Sequence, residues 1–451
     1  MDPTGSVFET ETHILRGIHQ EFSSYYSSLL EKNVVKQLLG KGIIETEVDG
    51  VGMEGYSLTF RHRKISPMNY PYEWSPSMYL DAALLTLDIT LKLNQENLVL
   101  KDATPWNILF DRARPIFVDF TSIMPRDENL IWVAYDQFLR LFLFPLLIST
   151  GISPRVGRLL LMDSANGVTD SELVKLMPQA WVRKPWLVQR LYVPRLLVSM
   201  VRQSGTDSRL KEMSKKMVPS ARQREEFFLA LEKDVRTLIP IPGKSRWSQY
   251  YEDINNFFTP SSFNCKQETV TAILDRCKPQ TVVDLGCNQG GYSILAVKAG
   301  AKVVAFDNDE DSIDLLYLLA KEKNLDILPL VMNVLSPSPQ CGWRGIQYKT
   351  GPDRFRADMA MGLALVHHLA ITQMQTFDRI VQTLDDYAGK WLLTEFVPAE
   401  DPRSVELLTT NTRDMSWYTL DNFIHSLSKV YSKVETFASY PEGRTLCLCI
   451  K

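Results

Sequence analysis

The sequence predicts an α/β fold for its second half and a mixed α+β and helical fold for its first. Its 451 residues are too many for one ordinary core. Two prolines and a glycine between Leu238 and Ser245 mark a connector, since they disfavour helix. Beyond it, short β-rich runs alternate with helical stretches, the pattern of a doubly wound parallel sheet. We therefore expect one domain over residues 1–240 and another over residues 245–451.

The second half contains six strand candidates, each a short run rich in apolar residues. In chain order they are residues 281–285, 302–307, 327–332, 357–362, 390–396 and 446–450. Helical candidates at residues 292–299 and 312–323 separate the first three of these runs.

In the first half, residues 58–65 read as a strand. Ser75 followed by Pro76 predicts a helix start, because serine caps and proline fits the first turn, and residues 78–93 are apolar at helical spacing. Short strand candidates follow at residues 98–100, 108–110 and 116–120, and the chain beyond residue 130 looks mostly helical.

Composition and charge exclude several classes of protein. Apolar residues make up 45% of the chain and the net charge is −3, so neither a disordered chain nor a dedicated nucleic-acid binder is expected. Residues 131–148 are apolar, but Asp136 and Arg140 favour a buried helix over a membrane span. No secretory signal is visible, and the six cysteines lack paired CxxC spacing. We expect reduced thiols and a cytoplasmic protein.

The strongest motif is a glycine-rich turn after the first strand of the second half. A buried strand, a turn and a helix would place backbone amides against a ligand, and the next strand ends in an acid 23 residues after the first acid. Asparagine is among the residues that tolerate positive φ best. The residues of this motif are Asp284, Gly286, Asn288, Gly290, Gly291 and Asp307.

Dinucleotide binding is the obvious competitor for such a turn. The pattern departs from GxGxxG at its second glycine, where Asn288 stands, and an acid directly precedes the turn. The segments DLGCNQGG and AFDND instead resemble the S-adenosylmethionine site of class I methyltransferases. That resemblance implies a Rossmann-like seven-stranded methyltransferase sheet, with Asp284 near the methionine end and Asp307 on the ribose.

The resemblance extends over nearly all of the second half. Asn308 follows the ribose-binding acid, and the segment around Asn333 and Val334 resembles the one that borders adenine. Asn333 stands where such enzymes commonly have an acid, and its amide oxygen is expected to accept from the adenine amino group. No metal ligand set is expected.

The chain as a whole resembles a family of two-part S-adenosylmethionine-dependent methyltransferases. The segments that carry this likeness are YPYEWS at 70–75, AALLTL at 82–87, LKDATPWN at 100–107 and WVAY at 132–135. The family's substrates are little defined, so the resemblance implies methyl transfer without an acceptor.

Three residues are candidates for a general base. His367 and His368 are expected at the carboxyl end of the fourth strand, where such sheets bind ligands; neighbouring strand residues point oppositely, so only one would face the acceptor. A role in packing is an equally good interpretation of both histidines. Glu395 is the third candidate, with a helix cap or a pair with an arginine as the equal alternative.

In the first half, Asp102, Asn107 and Asp119 resemble the catalytic and metal-binding segments of kinase-like folds. No Gly-rich phosphate loop precedes them, and no clear strand lysine pairs with a glutamate. We favour the interpretation that these residues form turns of a structural domain over the interpretation that the domain is an active kinase. A degenerate kinase-like lobe that shapes or binds the substrate ranks between these two.

The basic stretch of residues 183–224 carries eleven lysines and arginines against two acids. A solvated helical face is favoured over a docking surface for an anionic partner. The predicted function is methyl transfer from S-adenosylmethionine to a small-molecule or carrier-bound acceptor at oxygen, nitrogen or carbon. The alternatives are an ATP- and magnesium-dependent phosphotransferase or bifunctional enzyme, and a non-catalytic cofactor-binding scaffold.

Overall fold

A computed structural model describes residues 3–128, 130–190, 219–243, 245, 253–409 and 413–451. The chain forms two compact units, Met1–Ile241 and Pro242–Lys451. The division falls inside the predicted connector, and each unit has its own buried core. No helix among the described residues is long and apolar enough to cross a membrane.

The first unit contains a four-stranded antiparallel sheet in the order β1-β2-β4-β3 and two smaller strand pairs, β5–β8 and β6–β7. Of the four-stranded sheet, only β4 corresponds to a predicted run. The strands are β1 (Gly5–Glu9), β2 (His13–Ile18), β3 (Thr46–Val48), β4 (Leu58–Arg63), β5 (Leu98–Leu100), β6 (Ile108–Asp111), β7 (Arg114–Phe117) and β8 (Ile123–Pro125).

One helix of the first unit begins at the predicted helix start. The Ser75 hydroxyl accepts from the Met78 amide at 3.4 Å, and Pro76 is the first helical residue. The helices are α1 (Gln20–Glu31), α2 (Asn33–Leu38), α3 (Pro76–Asn94), α4 (Tyr135–Phe138), α5 (Phe144–Gly151), α6 (Pro154–Leu159), α7 (Asp170–Leu176), α8 (Gln179–Val182) and α9 (Ala221–Arg236). Short 3₁₀ turns cover Pro71–Glu73, Pro105–Asn107, Phe120–Ser122 and Leu160–Met162.

The apolar segment that begins near residue 131 is a buried helix, as predicted. Helix α4 continues through a π-helical turn, Leu139–Leu143, into α5, and most of these side chains are buried. Asp136 and Arg140 pair at 3.6 Å on its more exposed side.

The second unit is built on one seven-stranded sheet in the order β11-β10-β9-β12-β13-β15-β14. The first five strands of this order are parallel, and β15 runs antiparallel to both of its neighbours. This confirms the predicted Rossmann-like sheet; β14 is the strand that had no predicted run. The strands are β9 (Thr281–Leu285), β10 (Lys302–Asp307), β11 (Ile327–Val331), β12 (Ala357–Gly362), β13 (Ala388–Phe396), β14 (Lys433–Ala438) and β15 (Thr445–Ile450).

Helices lie between these strands and cover the sheet, so its central strands are buried as a parallel sheet requires. They are α10 (Cys265–Cys277), α11 (Gly291–Lys298), α12 (Glu310–Lys323), α13 (Gly351–Phe355), α14 (Phe377–Asp385), α15 (Pro402–Leu408) and α16 (Leu420–Ser428). Turns of 3₁₀ or π form occupy Ile254–Phe258, Pro260–Ser262, Trp343–Gly345 and His368–Thr372. Cys447 and Cys449 are buried on β15, and all six cysteines are free thiols.

Candidate functional site

A cavity of about 790 Å³ lies in the second unit, lined by residues that follow the carboxyl ends of β9, β10, β11 and β12. Doubly wound sheets bind their ligands at this edge, because the loops after parallel strands converge there. The cavity has the size of a typical small-molecule site. It brings together Asp284, Asp307 and both histidines.

The turn between β9 and α11 has the backbone that the glycine pattern predicts. Gly286, Asn288 and Gly290 have φ values of 70°, 53° and 76°. Gly286 and Asn288 line the cavity. Gly290 and Gly291 are not among the lining residues: a Cβ on Gly290 would lie 2.5 Å from Leu316, and one on Gly291 would lie 2.5 Å from Phe257. These two glycines therefore allow the helix to pack closely.

Asp284 is buried at the end of β9 and faces the cavity. Ser293, in the first turn of α11, donates its hydroxyl to the carboxylate at 2.6 Å. Burial raises the pKa of Asp284 to about 6, and the charge of Asp307 acts in the same direction, while the Ser293 bond opposes it. The site therefore contains an acid that changes its charge near neutral pH.

Asp307 ends β10 beside the same turn. Its carboxylate accepts from the Asn288 amide at 2.9 Å and from the Asp309 amide at 3.0 Å. Burial raises its pKa, and these backbone bonds oppose the change. Each carboxylate oxygen keeps a lone pair, so the group is able to accept from hydroxyls in the cavity. Its neighbour Asn308 also lines the cavity.

The third predicted segment follows β11. Val334 is buried and Asn333 is exposed, and both line the cavity. The Asn333 amide oxygen already accepts from the Leu335 amide at 2.8 Å and from the Ser336 amide at 3.2 Å. That oxygen stabilises its own loop, so an adenine amino group would compete with these two bonds.

The two histidines are not on a strand end, and this part of the prediction is wrong. Strand β12 ends at Gly362, and both residues lie beyond it on a helical turn that continues as His368–Thr372. Because they are helical neighbours, their side chains do not alternate across a sheet: the ring centroids are 4.0 Å apart and both rings line the cavity.

His367 is 2% exposed, and its Nδ1 has no hydrogen-bond partner among the described residues. Burial lowers its pKa to about 2, helped by the positive groups His368, Arg444, Lys266 and Arg403. The ring is therefore neutral at physiological pH. A base of such low pKa removes protons poorly, so His367 is poorly suited to that task.

Glu395 is fully buried on β13 and is not among the lining residues of the cavity. One carboxylate oxygen accepts from Lys266 Nζ at 2.6 Å and from the Ala364 amide at 2.8 Å, and the other accepts from the Ser439 hydroxyl at 2.5 Å. The alternative to a general-base role predicted that Glu395 caps a helix or pairs with an arginine. Its charged partner in the structure is a lysine instead. The contacts indicate a positioning residue that ties four segments together.

Three cationic residues of the cavity wall carry no sequence signal of their own: Lys266, Arg403 and Arg444. Lys266 is in the first turn of α10, where nothing in the surrounding residues points to a site. Arg444 forms two bonds to Asp401, Nε to Oδ2 at 2.8 Å and Nη2 to Oδ1 at 3.0 Å. The Asp401-Pro402 pair, a helix-start signature, was the available clue to this corner.

In the first unit, the three residues of the kinase-like resemblance lie on neighbouring loops. The Asp102 amide donates to the Ser122 hydroxyl at 3.1 Å, and the Ser122 amide donates to the Asp119 carbonyl at 3.0 Å. The Asn107 carbonyl accepts from Val118 at 2.8 Å, next to Asp119. This placement is consistent with a kinase-like lobe.

Asp119 already has two partners in the first unit. Its carboxylate accepts from Thr121 at 2.8 Å and pairs with Arg16 of β2 at 3.2 Å. Among the described residues there is no group of three histidine, cysteine or acidic side chains that would hold a metal ion. The positive charge beside the Asp119 carboxylate is that of Arg16.

Most of the basic stretch at residues 183–224 falls outside the described residues.

The sheet order and the acid–glycine turn define the second unit as a class I S-adenosylmethionine-dependent methyltransferase fold, with S-adenosylmethionine as its cofactor. Within that class, residues 248–338 match the family described as Tellurite resistance protein TehB. The whole chain is similar to Nodulation protein NoeA of Rhizobium meliloti (strain 1021), at 29% identity over 445 residues, 95% of this chain and 90% of that protein.

Solved structures with similar folds show low sequence identity. Magnesium protoporphyrin IX methyltransferase from Synechocystis PCC 6803 with bound SAH is 14% identical, covers 46% of this chain and 95% of its own, and has a TM-score of 0.32. TehB from Haemophilus influenzae is 14% identical, covers 44% and 67%, and has a TM-score of 0.30. WbdD is 17% identical with a TM-score of 0.31, and the match covers 44% of this chain and 47% of the WbdD chain.

Proposed function

We propose that the chain is an enzyme that transfers a methyl group from S-adenosylmethionine to a small-molecule or carrier-bound acceptor at oxygen, nitrogen or carbon. The observation that supports this most is that one cavity is lined by Asp284, Asp307 and a histidine pair. Strands β9 and β10 supply the acids, and the turn after β12 supplies the histidines, so a cofactor half and an acceptor half adjoin across the sheet.

The residues present fit the cofactor. The Asp284 carboxylate is suited to an ammonium group, and Asp307 to ribose hydroxyls, while Asn288 and Gly286 keep the turn close to the ligand. The cofactor supplies an electrophilic methyl group on a sulfonium. The remaining work of the protein is to hold the acceptor in line with that methyl, and such orientation lowers a barrier by about 7–11 kcal/mol.

The test is a calorimetric titration of the full chain with S-adenosylmethionine. We expect saturable binding that is lost or at least tenfold weaker in Asp307→Ala, because the ribose hydroxyls lose their acceptor. No heat and no thermal shift at millimolar ligand would overturn the proposal.

The acceptor is found by incubation with methyl-labelled S-adenosylmethionine and fractionated lysate, followed by identification of the labelled product. Binding without label transfer to any fraction would favour the scaffold alternative. In that case, a His368 variant would bind the cofactor as tightly as the unaltered chain, and neither protein would show turnover.

A phosphotransferase activity of the first unit is the second candidate. The observation in its favour is that hydrogen bonds connect the loops that carry Asp102, Asn107 and Asp119. We expect magnesium-dependent ATP binding that disappears in Asp119→Ala. The absence of ATP binding in the unaltered chain would leave these residues as turn and ion-pair residues of a structural domain.

We also propose that the protein acts in the cytoplasm. Its free thiols support this, because buried cysteines such as Cys447 and Cys449 pack as small apolar side chains in a reducing compartment. Fractionation of cells that produce the chain tests the location, and recovery with the membrane or an extracellular fraction would contradict it.

A further inference from the structure

The wall of the cavity divides by charge along the sheet. The lining acids are Asp253, Asp284 and Asp307, all of which precede β11 in the chain. Among the described residues from 363 to 444, the lining contains Arg403, Arg444 and both histidines but no acid. Strands β12, β13 and β15, which carry these loops, adjoin one another beyond β9. The lining before β11 also contains the cation Lys266. We call the part of the lining from residue 363 to 444 the basic half.

The basic half is built on buried charge pairs. Arg444 and Asp401 are both buried, and the Asp401 carboxylate also accepts from the Arg403 amide at 2.9 Å. Asp401 thus caps α15 and fixes the start of the helix that carries Arg403. Burial alone would raise the pKa of Asp401, but its bonds to Arg444 and Arg403 hold that pKa below the usual value. The pair remains ionised and places Arg403 at the cavity wall.

One histidine of the cavity lining has a buried polar atom without a hydrogen bond. His367 Nδ1 lacks a partner among the described residues although the side chain is 2% exposed and lines the cavity. A buried polar atom without a hydrogen bond destabilises the fold, so a ligand that supplies the bond gains affinity from it. An anionic oxygen is able to accept hydrogen bonds from an imidazole N–H and from a guanidinium at the same time.

We infer that the basic half of the cavity is an anion-binding subsite, in which Arg403 and the His367–His368 pair hold a carboxylate or phosphoryl group of the methyl acceptor. The inference rests on the proposed methyltransferase function and names the class of acceptor for it. Lys266 and Arg444 also line the cavity and add positive potential, and they form ion pairs with Glu395 and Asp401. The carboxylate or phosphoryl group serves to orient the acceptor, and none of its own bonds breaks during methyl transfer.

The experiment uses the full chain saturated with S-adenosylhomocysteine, so that the carboxylate of the cofactor is already in place. Three probes with the same ring are titrated: phenyl phosphate, benzoate and the neutral benzyl alcohol. Binding is followed by calorimetry and by the NMR signals of the His367 ring. We expect the anions to bind and shift these signals, and the alcohol to do neither. Whichever anion binds more tightly identifies the group as phosphoryl or carboxylate.

The variant is Arg403→Gln, and the matched control is Arg379→Gln, an exposed arginine on α14 outside the cavity. Loss of a charged hydrogen bond is expected to weaken the better anion by 10- to 100-fold in Arg403→Gln. Affinity for S-adenosylhomocysteine should change less than threefold, and Arg379→Gln should alter neither affinity. Thermal unfolding of both variants verifies that they fold.

Two results would overturn the inference alone: neither anion binds to the saturated protein, or Arg403→Gln weakens S-adenosylhomocysteine as much as it weakens the anion. The second result would mean that the basic half holds the carboxylate of the cofactor. Failure of both S-adenosylmethionine and S-adenosylhomocysteine to bind is a different outcome, which rejects the proposed function and this inference with it.

Discussion

At the scale of single residues, the pair of Glu395 and Lys266 illustrates how a buried charge depends on its partner. Removal of one member leaves the other charge uncompensated, which typically costs about 3–5 kcal/mol. We expect Glu395→Ala to lower the free energy of unfolding by that amount in urea titrations. It also removes the acceptor of the Ala364 amide, whose residue has a φ of 50°, so turnover should fall further than stability alone explains.

The control for this prediction is Asp378→Ala, which breaks an exposed pair with Lys429 and should have a much smaller effect. The double variant Glu395→Gln with Lys266→Met should recover part of the lost stability, because it leaves no buried charge. Equal effects of Glu395→Ala and Asp378→Ala would show that the buried pair does not stabilise the fold.

Asp284 gives a prediction about pH. Its pKa of about 6 lies above that of an exposed aspartate, so the folded state binds the proton more tightly than the unfolded state. The cost of its ionisation is therefore absent at low pH and grows as pH rises from about 4 through 6. We expect Asp284→Asn to gain about 2 kcal/mol relative to the unaltered chain between pH 4 and pH 8, measured by urea unfolding without ligand.

Asp358 provides the comparison, because its bond to Lys390 outweighs burial and lowers its pKa. The stability that this group contributes is lost only as pH falls below the usual aspartate range. Asp358→Asn should therefore show a constant difference from the unaltered chain between pH 5 and pH 8. A constant difference for Asp284→Asn over the same range would contradict the raised pKa.

The cavity acids Asp284 and Asp307 could be predicted because strand ends and turns have recognisable local sequence patterns. Asp284 and Asp307 each end an apolar run, and Asn288 has the positive φ that its position between glycines predicts. Lys266 and Arg403 could not be found in this way. Their places in the cavity depend on helices that fold back over the sheet from distant parts of the chain, and no local pattern records that packing.

At the scale of elements, the turn between β9 and α11 explains why two successive glycines stand at the start of the helix. Gly290 has positive φ, and its Cα faces Leu316 of α12. Gly290→Ala should therefore lower the free energy of unfolding by about 2–4 kcal/mol, from strain at φ and from the contact with Leu316. Gly300→Ala is the matched control, since Gly300 also has positive φ but open space around it.

The difference between these two variants in urea unfolding isolates the packing contribution. Gly300→Ala should cost only about 1–2 kcal/mol, the usual price of a left-handed conformation for alanine. Equal losses in both would mean that Leu316 moves aside, and the close packing of α11 against α12 would then not depend on the glycine.

Elements with strong apolar runs were predictable, and those without such runs were not. The five parallel strands of the second unit are buried on both faces, so their sequences are continuous and apolar. Strand β14 is a sheet edge with exposed polar residues, and β1 to β3 of the first unit are short or partly exposed. The two histidines were wrongly predicted at a strand end because the strand and the helical turn after it are both apolar. No change in the sequence pattern marks where the strand ends at Gly362.

At the scale of the whole molecule, the chain has two units, and every residue that lines the large cavity belongs to the second. The residues that hold these side chains, such as Ser293, Glu395 and Asp401, are in that unit as well. The kinase-like set of the first unit shares none of these contacts in the described residues. Cofactor binding therefore has all of its identified requirements within residues 242–451.

We expect the fragment of residues 242–451, expressed alone, to fold and to bind S-adenosylmethionine within threefold of the affinity of the full chain. Its continuous seven-stranded sheet and buried core meet the requirements of an independent domain. Circular dichroism and calorimetry are the measurements, with the same fragment carrying Asp307→Ala as the control. If the fragment folds but binds at least tenfold more weakly, the first unit contributes to the cofactor site. If it binds normally but loses turnover of the acceptor, the first unit acts in acceptor recognition.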